Sequence, residues 1–357
     1  MICYPFPYSS YACDNEMSMR KNLKNSPEWG KRKERKRLMR KGYAYTPDPY
    51  YARFMKDRGK EFLLAPKNFS MVDNATGVTE YFHSVQNNAK AHIPSVMDMS
   101  DIEMTDLATI SLLISVMMDR RTSAKLIKEF TTVYIPPRNT EPGKLFRQAQ
   151  FHETVTAEGI ADHTFFLSRL SKRVNKDYIR DILNTAEAFL RVKNPGQLSP
   201  LLVEMISNTN NHANPDAEVE KDKLPWFFAM LENKAEGKII FSLVDLGVGI
   251  YESLHLKGLA TTAKFDESIK SLYQNSQSTF LRTNIPKGVD SSTGLPYRGK
   301  GLQSIYDYAK NSIYKEFKVI TNRAQVDLKH IDKAKLDLGE SLEGTIYYWE
   351  MSTHGKR

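Results

Sequence analysis

The sequence is poor in cysteine, with only Cys3 and Cys13 among 357 residues. The two cysteines fit neither a CxxC pair nor a zinc-ligand spacing, so we expect free thiols in the reducing cytoplasm rather than a disulfide scaffold. Long hydrophobic runs are also absent. The longest, from Leu107 to Met118, is interrupted by Thr and Ser residues, whereas a membrane-spanning helix needs about 20 apolar residues. The sequence therefore predicts no transmembrane anchor, no secretory signal and no membrane partner.

Positive charge is concentrated at one end of the chain. Residues 1–60 contain 15 Lys and Arg and six Asp and Glu, whereas the other 297 residues carry 36 of each sign. The densest run extends from Lys31 to Lys41 and has eight basic residues and one acidic residue. Such a run repels itself and attracts phosphate backbones or acidic surfaces. We expect a basic N-terminal arm over residues 1–60 that binds nucleic acid or an acidic protein partner; a solvated helix face is the alternative.

The rest of the chain has an ordinary globular composition, with 41% hydrophobic and 26% charged residues overall. At about 150 residues per domain, its length predicts two domains. We place a small α/β domain over residues 61–175 and a second α/β domain over residues 176–357. In the first, residues 92–99 predict a strand and residues 105–121 a helix with apolar residues at helical spacing. In the second, residues 176–192 predict an amphipathic helix.

The stretch from Val96 to Leu113 resembles the core strand–loop–helix of STAS domains, the anti-sigma-factor-antagonist fold. STAS switch proteins carry a phosphorylatable serine directly after the aspartate that precedes the helix. In this chain Asp106 is followed by Leu107, so the resemblance does not extend to that switch.

A helix with one buried face and one polar stripe is predicted to begin at Ser199, a hydroxyl N-cap followed by proline. Apolar or core-facing residues recur at helical spacing: Leu198, Leu201, Leu202, Met205 and Thr209. Glu204, Asn208 and Asn211 lie at i, i+4 and i+7, which places them on one stripe. A carboxylate can accept a proton from water, and an amide oxygen is a suitable Mg²⁺ ligand. An exposed polar face is the alternative for this helix taken alone.

A strand over residues 238–244 is predicted to run directly into Asp245-Leu-Gly247-Val-Gly249. An aspartate at a strand end can accept a hydrogen bond from an exocyclic amine. The two glycines allow the backbone to approach a ligand closely. A simple Asp/Gly turn is the alternative.

The third segment, Arg298-Gly299-Lys300-Gly301-Leu302, is predicted to open a helix that extends to about residue 312. Glycine-rich backbone at a helix N-terminus binds anions, and Lys300 adds a positive charge. Residues 317–321, 325–328 and 345–349 are predicted strands of the same sheet.

The order ExxxN, DxGxG and GxGL resembles the GHKL superfamily of gyrase B, heat-shock chaperone, histidine kinase and mismatch-repair ATPases. The resemblance covers residues 197–351. It implies a Bergerat-type α/β sandwich, with ATP and Mg²⁺ as cofactors. It also implies that Glu204 activates the attacking water, that Asn208 holds Mg²⁺, and that Asp245 reads the adenine amine.

The same resemblance assigns the remaining positions of the site. It implies that Gly247 and Gly249 shape the adenine loop and that Thr345 lies near the adenine. The phosphates would be held by Gly299, Gly301 and the backbone around Leu302, with Lys300 in the same loop. Residues 250–297 would form a lid over the nucleotide. Because related clamps close as dimers on ATP, a homodimer is also implied.

Three functions remain open at this point. The preferred one is a Mg²⁺-dependent ATPase that acts as a nucleotide-driven switch or clamp. The second is a protein kinase of the anti-sigma type, which has the same fold and transfers phosphate to Ser or Thr of a partner. The third is a nucleotide-binding scaffold without turnover.

Overall fold

The computed structural model describes residues 61–91, 93, 95–118, 133–137, 140–149, 151, 176–212, 226–256, 276–287, 301–332 and 335–353. The predicted basic arm over residues 1–60 lies outside these ranges, as do Gly299 and Lys300. Within them the fold is mixed α/β, as predicted. None of the described helices is long and apolar enough to cross a membrane.

The N-terminal part of the described chain contains two small parallel sheets. The first has the strand order β1-β3-β5, formed by β1 (Glu61–Leu64), β3 (Ser95–Asp98) and β5 (Val133–Ile135). The second pairs β2 (Asn68–Phe69) with β4 (Met104–Thr105). The helices of this part are α1 (Ala75–Lys90), α2 (Leu107–Met118) and α3 (Glu141–Gln148). Parallel strands need crossover connections of this kind.

Helix α2 begins two residues later than its apolar pattern predicts. The Asp106 carboxylate accepts hydrogen bonds from the Thr109 backbone N–H at 2.7 Å and from the Thr109 hydroxyl at 2.9 Å. Asp106 is therefore the N-cap, and Thr105 belongs to β4. Residues 119–121 of the predicted helix lie outside the described residues.

The C-terminal part is built on a four-stranded antiparallel sheet with the order β6-β7-β9-β8. Its strands are β6 (Trp226–Asn233), β7 (Lys238–Asp245), β8 (Tyr314–Asp327) and β9 (Lys335–Met351). Its helices are α4 (Lys176–Leu190), α5 (Leu198–His212), α6 (Ile250–Leu256), α7 (Gln277–Asn284) and α8 (Gly301–Ala309).

Several element boundaries differ from the sequence prediction. Helix α5 begins at Leu198 rather than after an N-cap at Ser199, because Gln197 has a left-handed φ of 58° and interrupts the backbone just before it. Helix α8 ends at Ala309. The predicted strands at 317–321 and 325–328 form one strand, β8, which continues through irregular pairing at Asn322. Strand β6 was not predicted.

A stack of aromatic rings fixes the register of the sheet. Trp349 on β9 stacks on Phe241 of β7, with ring centroids 4.9 Å apart, and on Phe317 of β8, with centroids 5.7 Å apart. Cross-strand aromatic pairs of this kind contribute about 0.2–1 kcal/mol each and resist a register shift. The same register places Asp245 directly opposite Thr345, four residues further along.

Both faces of this sheet are buried. One face packs against α4, α5 and α8, and contributes Phe228, Phe241, Tyr347 and Trp349 to a shared core. The opposite face contributes Phe227, Val244, Ile346 and Tyr348 to a core shared with α1 and α2 of the N-terminal part. A sheet buried on both faces holds its strand ends in fixed positions, which is where the candidate site lies.

Candidate functional site

The polar stripe of α5 faces the first residue of α8. A Cβ added at Gly301 would lie 2.8 Å from Asn208 Oδ1 and 3.2 Å from Glu204 Oε2. On the other side of α5, all five predicted core-facing residues are buried, from Leu198 at 0% exposure to Thr209 at 3%. The helix is thus fixed by its apolar face while Glu204 and Asn208 remain partly exposed beside the start of α8. The absence of a side chain at Gly301 is what lets these elements approach.

The Asn208 amide has unused hydrogen-bonding capacity. Among the described residues, none hydrogen-bonds its Nδ2 atom, although that atom is buried. An unpaired buried amide costs free energy unless a ligand or water satisfies it. Because the amide can rotate by 180° about its last bond, either its nitrogen or its oxygen can be turned toward a ligand.

Asp245 is a buried carboxylate at the end of β7. Its Oδ1 accepts a hydrogen bond from Gly247 N–H at 2.9 Å, and its Oδ2 lies 3.4 Å from the Thr209 hydroxyl of α5. Burial raises its pKa from 3.8 to about 6, against the opposing effect of hydrogen bonds from Gly247, Thr209 and Thr345. At neutral pH the side chain is therefore mostly ionised, and it accepts hydrogen bonds from polar neighbours within a buried site.

The end of β9 is shaped around Asp245. Gly344 has a φ of 121°, and a Cβ there would lie only 2.0 Å from the Asp245 carbonyl oxygen. The following residue, Thr345, is the register partner of Asp245, and its hydroxyl lies 3.3 Å from that of Thr321 on β8. The side chains at this sheet end are thus held by hydrogen bonds across three strands.

Tyr347 connects the two parts of the site. Burial raises the pKa of the Tyr347 hydroxyl, and the charge of Asp245 raises this pKa further. The nearby Asn208 amide lowers it, although Asn208 Nδ2 makes no well-formed hydrogen bond with a described residue. Tyr347 belongs to the core shared with α5. The Glu204–Asn208 group and the Asp245–Thr345 group therefore lie in one continuous region, joined by adjacent residues of α5 and by this ring.

The structure brings together Glu204, Asn208 and Gly301 in one group and Asp245, Gly247 and Thr345 in another. Leu302 is half-buried and packs against the core of the sandwich. Gly249 lies at the start of α6 with a φ of 81°. The predicted phosphate ligands Gly299 and Lys300, the side chain of Asn211 and most of the segment between α6 and α8 lie outside the described residues.

The described parts of the predicted lid are anchored to the long β8–β9 hairpin. Asp337 accepts hydrogen bonds from the Ser276 hydroxyl at 2.7 Å and from the Ser278 backbone N–H at 2.9 Å, at the start of α7. Phe280 and Leu281 of the same helix are 1% exposed. Helix α7 is consequently part of the packed structure at this end of the sheet.

Four residues of the region carry hydrogen bonds that the sequence did not reveal: Thr209, Thr321, Asn322 and Gly344. The spacing of Thr209 gives it a core-facing position, but only the fold places its hydroxyl against Asp245. The Gly344-Thr345 dipeptide before the last strand is a local signal for a special backbone. Nothing local marks Thr321 or Asn322.

Comparison with known proteins gives no assignment: no protein-family model matches the chain, and neither a curated protein nor a solved structure matches it.

Proposed function

We propose that residues 176–357 form a Bergerat-type unit that binds ATP with Mg²⁺ and hydrolyses it, with Glu204 as the general base. One observation carries the proposal. The carboxylate and amide of α5 adjoin the glycine that begins α8, and a buried aspartate stands at the adjoining sheet end. This arrangement offers a base, a metal ligand, a helix N-terminus and an acceptor for the adenine amine in one continuous region.

Asp245 would select the base. Its ionised carboxylate accepts a hydrogen bond from the exocyclic amine of adenine, whereas guanine offers a carbonyl oxygen at the corresponding position. The neighbouring Thr345 hydroxyl holds the carboxylate in place. The guanine carbonyl oxygen would face the carboxylate as one acceptor against another, which is costly in a buried site, so guanine is disfavoured.

Asn208 fits the role of a magnesium ligand because its amide oxygen faces the start of α8, where Oδ1 lies 2.8 Å from a Cβ built at Gly301. Mg²⁺ is usually held by one or two protein oxygens together with phosphate oxygens and water. When bound, the ion would neutralise charge on the phosphates. The first turn of α8, beside Asn208, would bring the favourable end of the helix dipole to the same anion.

Glu204 would act as the base in the hydrolysis step. Its carboxylate accepts a proton from a water molecule as the water oxygen bonds to the γ-phosphorus. The bond from that phosphorus to the β-phosphate oxygen breaks, which releases ADP and inorganic phosphate. A transition state of this type needs mainly positioning and charge stabilisation.

The test uses the purified protein, residues 1–357, with ATP binding measured by calorimetry and phosphate release by a coupled assay. Glu204→Gln keeps the shape of the side chain but removes its basicity. We expect ATP affinity within about threefold of wild type and phosphate release reduced by about 100-fold or more. The matched control, Glu141→Gln, changes an exposed glutamate of α3 and should alter neither quantity.

Two results would overturn the proposal in different ways. Failure of wild-type protein to bind ATP in the presence of Mg²⁺ would remove the nucleotide site altogether. ATP binding without phosphate release would leave a scaffold, or a kinase if γ-labelled ATP then labelled a protein partner.

A further inference from the structure

Strand β8 contains an irregular position at Asn322, beside the loop that follows Asp245. Asn322 is 2% exposed and has a left-handed φ of 50°. Its pairing with β9 is displaced on both sides, from Thr321 to Asn322 and from Asn322 to Ala324. Asparagine tolerates the left-handed region better than most residues do. The irregularity turns this side chain out of the regular ladder.

The side chains of Asn322 and Thr321 bind the start of α6 and the loop before it. Asn322 Oδ1 accepts hydrogen bonds from Tyr251 N–H at 3.0 Å and Glu252 N–H at 3.3 Å, and its Nδ2 donates to the Val248 carbonyl at 2.8 Å. The Thr321 hydroxyl accepts from Ile250 N–H at 2.9 Å. Two adjacent residues of β8 therefore occupy the first three N–H groups of α6.

These contacts change the interpretation of Gly249. A Cβ at Gly249 would lie 2.4 Å from Asn322 Oδ1 and 2.6 Å from Nδ2. The glycine is thus needed for the approach of Asn322, in addition to its positive φ. Because the first three N–H groups of α6 are already occupied, they are not available as donors to a triphosphate.

We propose that Asn322 is a positioning residue: it clamps residues 246–249 to β8 and thereby holds the Asp245 carboxylate in the orientation that selects adenine. This inference rests on the proposed ATP-binding function. The reason for the link is direct. The Asp245 carboxylate accepts a hydrogen bond from Gly247 N–H, and the Asn322 amide donates a hydrogen bond to the carbonyl of the next residue in this loop, Val248.

The clamp itself is tested without nucleotide, by amide hydrogen exchange. Asn322→Gly removes the side chain while allowing the left-handed backbone, whereas Asn322→Ala would add backbone strain. We expect the Tyr251 and Glu252 amides, which lose their acceptor, to exchange about tenfold faster in Asn322→Gly. The control is Asn74→Ala, which removes an asparagine that also bonds two backbone groups, at the start of α1. Unchanged exchange at Tyr251 and Glu252 would overturn the clamp.

The positioning role is tested by nucleotide binding and turnover. In Asn322→Gly we expect the Kd for ATP to rise about tenfold, which corresponds to about 1.4 kcal/mol. We also expect the preference for ATP over GTP to fall. The turnover rate at saturating ATP should stay within about twofold of wild type because Glu204 is untouched. Asn322→Asp keeps the acceptor for two N–H groups and should recover part of the affinity.

The outcomes separate this inference from the function on which it rests. Faster amide exchange with an unchanged Kd for ATP and an unchanged preference for ATP over GTP would mean that Asn322 has only a structural role. A fall in turnover at saturating ATP with no change in Kd would also contradict a role for Asn322 in adenine recognition. If wild-type protein bound no ATP, the proposed function and the positioning role would both fall, and the exchange result would still decide whether the clamp exists.

Discussion

Replacing Asp245 with asparagine is expected to stabilise the folded protein at neutral and alkaline pH while weakening ATP binding. The pKa of this carboxyl rises from 3.8 to about 6 in the folded protein because burial penalises its charged form. At about 1.4 kcal/mol per pKa unit, holding the charge in the fold costs about 3 kcal/mol at a pH well above 6. Asparagine carries no charge and avoids this cost.

The expected net gain is smaller than the full cost of ionisation. The asparagine oxygen can still accept the Gly247 N–H, and its amide nitrogen can donate to the Thr209 hydroxyl, which lies 3.4 Å from Oδ2. The amide nitrogen, however, brings a second N–H to a place where the carboxylate had only an oxygen, and an incompletely paired buried donor costs about 1 kcal/mol. We therefore expect Asp245→Asn to raise the free energy of unfolding by about 2 kcal/mol at about pH 8.

The gain should disappear as the pH falls. Because the folded pKa lies above the unfolded one, lowering the pH through about 6 protonates wild-type Asp245 in the folded state first and recovers its stability. The recovery is complete below the unfolded pKa of 3.8. Urea unfolding of both proteins at about pH 8, 6 and 4.5 measures this difference. Effects of other titrating groups cancel when the two proteins are compared at the same pH.

The control is Asp307→Asn, which neutralises an exposed carboxylate of α8. Its effect on unfolding should be within about 0.5 kcal/mol. A destabilised Asp245→Asn protein at alkaline pH, or a stability difference that did not change with pH, would refute the assignment of an energetic cost to this buried charge. Unchanged ATP affinity in Asp245→Asn would instead refute its role in reading adenine.

Two further predictions concern the phosphate end of the site and the N-terminal arm. Gly301→Ala places a methyl group against Asn208 and Glu204. Because both side chains can move at their tips, we expect a stability change within about 1 kcal/mol but at least a tenfold loss of phosphate release. Gly339→Ala is the control. An equal loss of stability and activity would contradict this. Deleting residues 1–60 should abolish salt-dependent DNA binding, measured by fluorescence anisotropy, and leave ATP affinity unchanged. DNA affinity that survived the deletion would show that the charge of the run from Lys31 to Lys41 was wrongly assigned.

Local patterns predicted four of the eight described helices, α2, α4, α5 and α8, and did not predict the other four. The i, i+4 spacing of Glu204 and Asn208 follows from helical geometry alone, and both residues do share the face of α5 that meets Gly301. The strand that ends at Asp245 was also evident, because a run of apolar residues stops at an Asp/Gly segment. Such features depend on neighbours within a few residues, which the sequence displays directly.

Strand pairing and strand extent were predicted less well. Strand β8 was interpreted as two pieces because Asn322 and Arg323 interrupt its apolar pattern, yet the polar side chain of Asn322 is satisfied by the α6 loop and the strand continues. Strand β6 lies at the edge of the sheet and was missed, although its aromatic start and the turn before Lys238 form a hairpin signal. Helix α5 starts at Leu198 because of the left-handed residue before it, which no cap motif indicates.

The sequence by itself determined which residue types are available: a carboxylate and an amide on one helix stripe, an aspartate at a strand end, and glycines before a helix. Only the tertiary structure decided that Asp245 faces Thr345, that Asn322 binds the start of α6, and that the back of the sheet is covered by α1 and α2. The physical reason is sequence separation. These contacts join residues about 70 or more positions apart, and their geometry depends on the register set by the Phe241–Trp349–Phe317 stack.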